Sequence, residues 1–240
     1  MLSEDVRVIS TGSQDGNCVL YFNEVMVDVG IPFVRLFNKS KKLNLIEDLK
    51  VVLLTHTHGD HIHYNTLASI QRYNPAVKVV CGEWMKAPID QYNQTADFKI
   101  SNVYIIDVLE EYNIDDYFIT AFPLSHDVLN CGYFIEKDKV VVHATDTYTM
   151  ANVPVREDID YYAIEFNFDR DYVEEVIDRE IKETGFSHRE RAIETHLSFQ
   201  VALGYIRKCA TKKQDYIIIP LHTSSAFKGY LKQFDSHIHI

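Results

Sequence analysis

The stretch "LLTHTHGDHIHYN", Leu53 to Asn65, places His56, His58, Asp60, His61 and His63 within eight residues, directly behind an apolar run. "VVLLT" (51–55) is apolar on both faces and reads as a buried central strand. His56 therefore falls just past a strand end, in a loop expected to be kept tight by Gly59, where polar side chains converge without entering the core. Strand alternation puts His56 and His58 on one side. Neutral imidazoles and carboxylates are the ligands of zinc and related divalent ions, and Asp60 and His61, immediately beyond, suit a second ion nearby. His63 lies outside this spacing and is expected to back another ligand or face solvent.

The rest of the chain is read around this loop. "VRVIST" (6–11), "CVLYF" (18–22) and "VMVDVG" (25–30) are short β-branched or aromatic runs separated by the turn-prone "GSQDGN" and by "NE", which predicts an antiparallel meander. Leu67, Ile70 and Tyr73 predict a helix ended by "NP", and "VKVVC" (77–81) returns as a strand. Further strands are predicted at 103–107, 117–122, 132–136, 139–144 and 161–166. A helix carrying Val173, Val176, Ile177 and Ile181 on one face follows them. A last helix from about Ser198 precedes the strand "YIIIP" (216–220). Meanders mixed with crossover helices predict an α/β (α+β) fold of stacked sheets with helices outside, as one domain over residues 1–240.

A metal pair needs more donors than the loop supplies, and they recur at other strand ends. "FPLSHDVLNCGYFI" sets His126 after one strand, "VVVHATDTYT" sets Asp146 after another, and "YIIIPLHTSS" sets His222 after the last. These stretches, together with "STGSQDGNCVLYF" and "THTHGDHI", resemble the motifs of the metallo-β-lactamase fold. The likeness is to its phosphodiesterase and nuclease branch, that of WalJ/YycJ-like proteins and tRNase Z, and it spans nearly the whole chain. "YYAIEFNFDRDYV" resembles the Glu-x-Asn-x-Asp element of that branch and "ETHLSFQVA" its His-Leu-Ser element. The resemblance implies a four-layer αβ/βα sandwich. It implies that His56, His58 and His126 bind one metal, that Asp60, His61 and His222 bind the other, and that Asp146 bridges them. By the same resemblance Glu165 orients His196, and these two join Asp60 as the catalytic candidates. His143 has no counterpart in the family's motifs, and a structural role is expected.

Composition bounds the chemistry. Of 240 residues 46% are hydrophobic and 25% charged, ordinary values for a globular enzyme. No apolar run is long enough to span a bilayer, and "MLSEDVRVIS" lacks the features of a targeting segment, so a cytosolic protein is expected. Cys18, Cys81, Cys131 and Cys209 are widely spaced and are expected to be reduced, buried thiols. A net charge of -11 argues against a long nucleic acid held by its phosphates. The groups Lys39, Lys41, Lys42 and Arg207, Lys208, Lys212, Lys213 read as solvated faces.

Two divalent ions about 3.5–4 Å apart acidify a shared water and neutralise a phosphodiester oxygen. His196 is the expected proton donor to the leaving oxygen, the alternative being a cap on the helix near Ser198. Zinc is the expected metal, manganese the other candidate. The first substrate expectation is a small anionic nucleotide, a 3′,5′-cyclic nucleotide opened to the nucleoside monophosphate. It comes from resemblance to small phage phosphodiesterases that destroy cyclic nucleotide immune signals, a resemblance that also implies a homodimer. The alternative is a DNA or RNA nuclease, and a binding protein without activity is the third reading. Trp84 and Tyr92, in "GEWMKAPIDQYNQ" (82–94), are either base-stacking platforms or ordinary packing. His237 and His239 are expected in a disordered end, unless they reach a neighbouring subunit's site.

Overall fold

The computed structural model describes residues 5–40, 45–187, 189–213, 215–229, 231 and 237–238. Lys41, Lys42 and His239 lie outside the described residues. The chain divides into two compact units, Met1–Ala121 and Phe122–Ile240.

The first unit opens with the expected meander: β1 (Val6–Ser10), β2 (Cys18–Tyr21) and β3 (Val25–Val27) pair antiparallel. After α1 (Phe33–Ser40) and α2 (Leu45–Asp48) the sheet continues in parallel through β4 (Val51–Leu54), β5 (Lys78–Cys81) and β6 (Val103–Ile105), in the order β1-β2-β3-β4-β5-β6. Parallel neighbours need crossovers, which are α3 (Tyr64–Tyr73) and α4 (Lys86–Thr95), the latter entered through a 3₁₀ turn at Glu83–Met85. Cys18, Leu20, Met26, Val52, Leu54 and Val79 form one sheet face and pack in a core with Leu36, Leu45, Leu67 and Ile70 of the helices. The alternate residues Val19, Tyr21, Val25, Val27, Val51, Leu53 and Val80 are also buried, which is why these strands read as continuous apolar runs. Asn74 stops α3 by donating to the carbonyls of Ile46 and Leu49, both at 2.9 Å, and Pro75 follows.

The second sheet has the order β12-β11-β10-β9-β8-β7. Its strands are β7 (Glu111–Ile114), β8 (Tyr117–Leu124), β9 (Asn130–Glu136), β10 (Val140–Ala144), β11 (Tyr161–Glu165) and β12 (Ile217–Leu221), and β8 runs across the boundary between the units. β10, β11 and β12 are parallel. Between β11 and β12 come α5 (Val173–Thr184), α6 (Arg189–Thr195) and α7 (Phe199–Cys209). Phe122, Phe134, Val142, Tyr162, Ile164 and Ile218 of the sheet share a core with Val173 and Ile177 of α5 and Phe199, Leu203 and Ile206 of α7.

The predicted elements are present with ends shifted by a few residues, while α1, α2, α4, α6 and β7 were not foreseen. The stretch with Trp84 and Tyr92 is largely helix α4. Trp84 donates to the Thr55 carbonyl at 3.2 Å, and Tyr92 stacks on Tyr64 at 5.5 Å, both packed against the first core. The four cysteines are free and buried; burial pushes the Cys81 thiol up to about 12 and raises that of Cys18 further. The C-terminal expectation is corrected at His237, which stacks on Tyr216 at 4.3 Å while Ile238 bridges to Ile218. Among the described residues no helix is long and apolar enough to cross a membrane.

Candidate metal centre

The first unit carries one donor cluster. β4 ends at Leu54, and Thr55, His56 and His61 are buried while His58 and Asp60 are half-buried. His61 and Ile62 donate to the His58 carbonyl at 2.9 and 3.0 Å, closing the loop as one helical turn. The loop does not owe its tightness to Gly59, around which a side chain would meet nothing within 4 Å. The constraint lies at Gly30, where a Cβ would sit 1.7 Å from the Asp60 carbonyl oxygen, so the β3 exit must pass bare against the loop. Asn17 pins the same carbonyl through its backbone N–H at 2.6 Å.

His61 is held at both ring nitrogens. Its Nδ1 lies 2.6 Å from Asp28 Oδ2, and its Nε2 lies 2.8 Å from Asn17 Nδ2. A buried carboxylate at that distance calls for a proton on Nδ1, and an amide N–H calls for a lone pair on Nε2, so the two contacts select one tautomer. Asp28 also accepts from Thr55 N at 3.0 Å and from Thr55 Oγ1 at 2.9 Å. His56 Nδ1 faces Thr55 Oγ1 at 3.0 Å, and its Nε2 is 3.1 Å from His58 Nδ1. Two nitrogens on a tetrahedral ion with bonds of 2.0–2.1 Å stand about 3.3 Å apart, so this pair is already at ligand spacing. His63 starts α3 instead: its carbonyl accepts from Thr66 and Leu67, and its Nδ1 faces Thr66 Oγ1 at 3.1 Å.

The second unit carries the other cluster. Asp146, after β10, and His222, after β12, adopt left-handed backbone conformations with φ of 54° and 51°. Such conformations are uncommon for residues with a Cβ, and they gather at functional sites. The two Asp146 oxygens face different imidazoles: Oδ2 is 3.9 Å from His126 Nε2, and Oδ1 is 3.5 Å from His222 Nε2. Donor atoms of Asp146, Glu165, His196 and His222 all lie within 4.8 Å of one another. His126 Nε2 is also 3.1 Å from Asp127 Oδ1.

Glu165, at the end of β11, is fully buried. It accepts from Thr147 N at 3.0 Å and Leu197 N at 3.3 Å, and its Oε1 stands 2.7 Å from His196 Nδ1 and 3.2 Å from His222 Nδ1. Burial raises its pKa, but the two imidazoles outweigh it and the net shift is downward, so Glu165 stays ionised. For His222, burial works against the charged form, and Asp146 and Glu165 outweigh it to raise the pKa. The His196 ring stacks on His222 at 4.8 Å. It does not cap α7; Ser198 does, accepting from Val201 N. His143 is buried within β10, in keeping with a structural role.

Residues 23–212 match the family described as the beta-lactamase superfamily domain. The chain belongs to the β-lactamase superfamily. As a member it has the mixed α/β sandwich of that fold, with two sheets and their helices. Exodeoxyribonuclease WalJ, from two strains of Streptococcus pneumoniae, is 27% identical over 170 residues. That alignment covers 68% of this chain, and the chain spans 62% of the WalJ length. YhfI of Bacillus subtilis, a metallo-β-lactamase fold protein, superposes with a TM-score of 0.66 at 18% identity, covering 97% of this chain and 93% of its own. A diphosphatase of the PhnP family gives 0.65 at 13% identity, covering 98% and 93%. Human short-form tRNase Z gives 0.62 at 15% identity, covering 93% of each chain. The His and Asp donors in both units suit divalent metal ions.

Sequence reading missed Asp28, Thr55 and Asn17, and it gave no role to Asn167, the Asn of the Glu-x-Asn-x-Asp element. Asn167 Nδ2 donates to the His222 carbonyl at 2.9 Å and faces its Nδ1 at 3.1 Å. The available signal was Asp28 itself, a lone acid inside the apolar run "VMVDVG" at a strand end.

Proposed function

We propose that the chain is a two-metal phosphodiester hydrolase acting on a nucleotide substrate, over residues 1–240 as one functional domain. In this reading His56, His58 and His126 hold one divalent ion, Asp60, His61 and His222 the other, and Asp146 serves both. Zinc is the expected metal, with manganese able to use the same donors. Bound ions would supply positive charge at a non-bridging phosphate oxygen and make a water acidic enough to attack near neutral pH. Asp146 suits the shared position because its two oxygens face imidazoles assigned to different ions.

The observation that carries the hydrolase reading is the Glu165–His196 pair at 2.7 Å beside this donor set. Glu165 fixes the ring through Nδ1, which leaves Nε2 to give a proton to the departing oxygen. General acid help of this kind is worth about a hundredfold or more. Asp60, half-buried in its loop, completes the catalytic set as a ligand at the site's edge.

Two substrates have support. Likeness to WalJ favours a DNA strand. The net charge of -11 favours a small anion such as a 3′,5′-cyclic nucleotide, opened to the monophosphate by a homodimer in the cytosol. Purified protein loaded with zinc or manganese would be incubated with cyclic nucleotides, single-stranded DNA, RNA and bis(p-nitrophenyl) phosphate. Hydrolysis of the synthetic diester with at least one nucleotide substrate is expected. Full metal loading without cleavage of any diester would refute the hydrolase reading, and cleavage of polymers alone would reject the cyclic nucleotide.

A further inference from the structure

α6 buries none of its residues, Ile193 included, and it leads straight into His196. It carries two arginines with different fates. Arg189 is tied down, donating to Glu180 Oε1 at 2.8 Å and bonding Ser224 Oγ. Arg191 stands with 78% of its side chain exposed, and its Nη2 donates to Asp127 Oδ2 at 3.1 Å. The other oxygen of Asp127 is the one 3.1 Å from His126 Nε2. An unbroken chain therefore runs from an outward-facing guanidinium through a carboxylate to a nitrogen assigned above to metal binding.

We propose that Arg191 binds a second phosphate of the substrate, next to the one cleaved, and that Asp127 holds the guanidinium ready for it. The inference deepens the hydrolase reading and rests on it. A guanidinium has five N–H donors in a planar fork that matches carboxylate and phosphate alike. The bond to Asp127 occupies one of them, so a phosphate can be taken up by the rest of the fork or by exchange with the carboxylate. Arg191 is set back from His126 by the whole width of Asp127, which suits a flanking phosphate better than the one at the metals. With Arg189 tied to Glu180, Arg191 is the exposed cation of α6, and it must outweigh the exposed Glu190 and Glu194 beside it to hold a phosphate. A substrate with consecutive phosphates satisfies this arrangement, and a cyclic mononucleotide, with one phosphate, does not.

The test compares wild type, Arg191→Ala, Arg191→Lys and, as a control, the exposed Arg179→Ala. Binding of a fluorescent phosphorothioate oligonucleotide and of a cyclic nucleotide is followed by anisotropy or calorimetry across a salt series. For Arg191→Ala, oligonucleotide binding about tenfold or more weaker is expected. The slope of log affinity against log salt should also fall by about 0.7. Arg191→Lys should regain the salt slope and only part of the affinity, with Arg179→Ala and cyclic nucleotide binding unchanged. Unaltered oligonucleotide affinity and salt slope in Arg191→Ala would overturn the proposal, as would an equal loss for both ligands. Because binding is read apart from turnover, the two failures are distinguishable: a wild type that binds through Arg191 yet cleaves nothing sinks the hydrolase reading, whereas cleavage with unaltered Arg191→Ala binding sinks this assignment alone.

Discussion

Replacing Asp28 with Asn tests whether the buried carboxylate sets the metal-binding face of His61. Asp28 is 1% exposed and accepts from Thr55 N, Thr55 Oγ1 and the His61 Nδ1–H. Asn has nearly the same shape and tolerates the φ of 60° found there, so the backbone is not strained. Its amide keeps one acceptor oxygen but turns an NH₂ toward a group that donates, so at least one of the three bonds becomes a clash of donors. A buried donor left without its acceptor costs about 1–3 kcal/mol. Loss of an orienting partner of this kind lowers metal affinity about 10–100-fold, or about 1.4–2.7 kcal/mol. Affinity would be measured by competition with a chromogenic chelator, and the fold checked by circular dichroism. The expected result is one ion bound as in wild type and one weakened by that factor. Two ions bound within twofold of wild-type affinity, in a folded protein, would refute the assignment of Asp28 as the partner of His61.

Three further outcomes are expected. His196→Ala should keep its metal content while turnover of substrates with poor leaving groups falls about a hundredfold; loss of metal in an elemental assay would make His196 a ligand instead. Stripping with a chelator should lower the thermal midpoint, since an ion at about a thousand times its Kd adds about 4 kcal/mol to the native state; an unchanged midpoint would deny a resident metal. Leu67→Ala, at a fully buried position of α3, should cost about 2–5 kcal/mol in urea unfolding; a smaller loss would mean the helix is loosely packed.

What the sequence disclosed depended on periodicity and on crowding. Strands β4, β5, β10 and β11 are buried on both faces and so stood out as apolar runs. The strand-end donors stood out because they follow those runs directly. α6 was invisible because it buries nothing and has no apolar stripe. α4 buries Ile89 alone among its ten residues, and its stripe is completed by Met85 just before it and the partly buried Tyr92. α1 had a readable start in Pro32, whose carbonyl accepts from Arg35 and Leu36. Asp28 and Asn17 were missed because they act on His61 from 33 and 44 residues away, and only the folded register brings them there. Gly59 was credited with what Gly30 does, since close approach of two backbones leaves no local trace in the chain.

The pairing of Ile238 with Ile218 reaches beyond the histidine that precedes it. β12 is the outermost strand of its sheet, and the Ile218 N–H, which would otherwise point outward, is taken by the His237 carbonyl at 2.9 Å. Open strand rims template pairing with foreign chains. His237 and Ile238 thus act as a selvage for β12, and a change that undid their pairing would trade one covered rim for a tendency to clump.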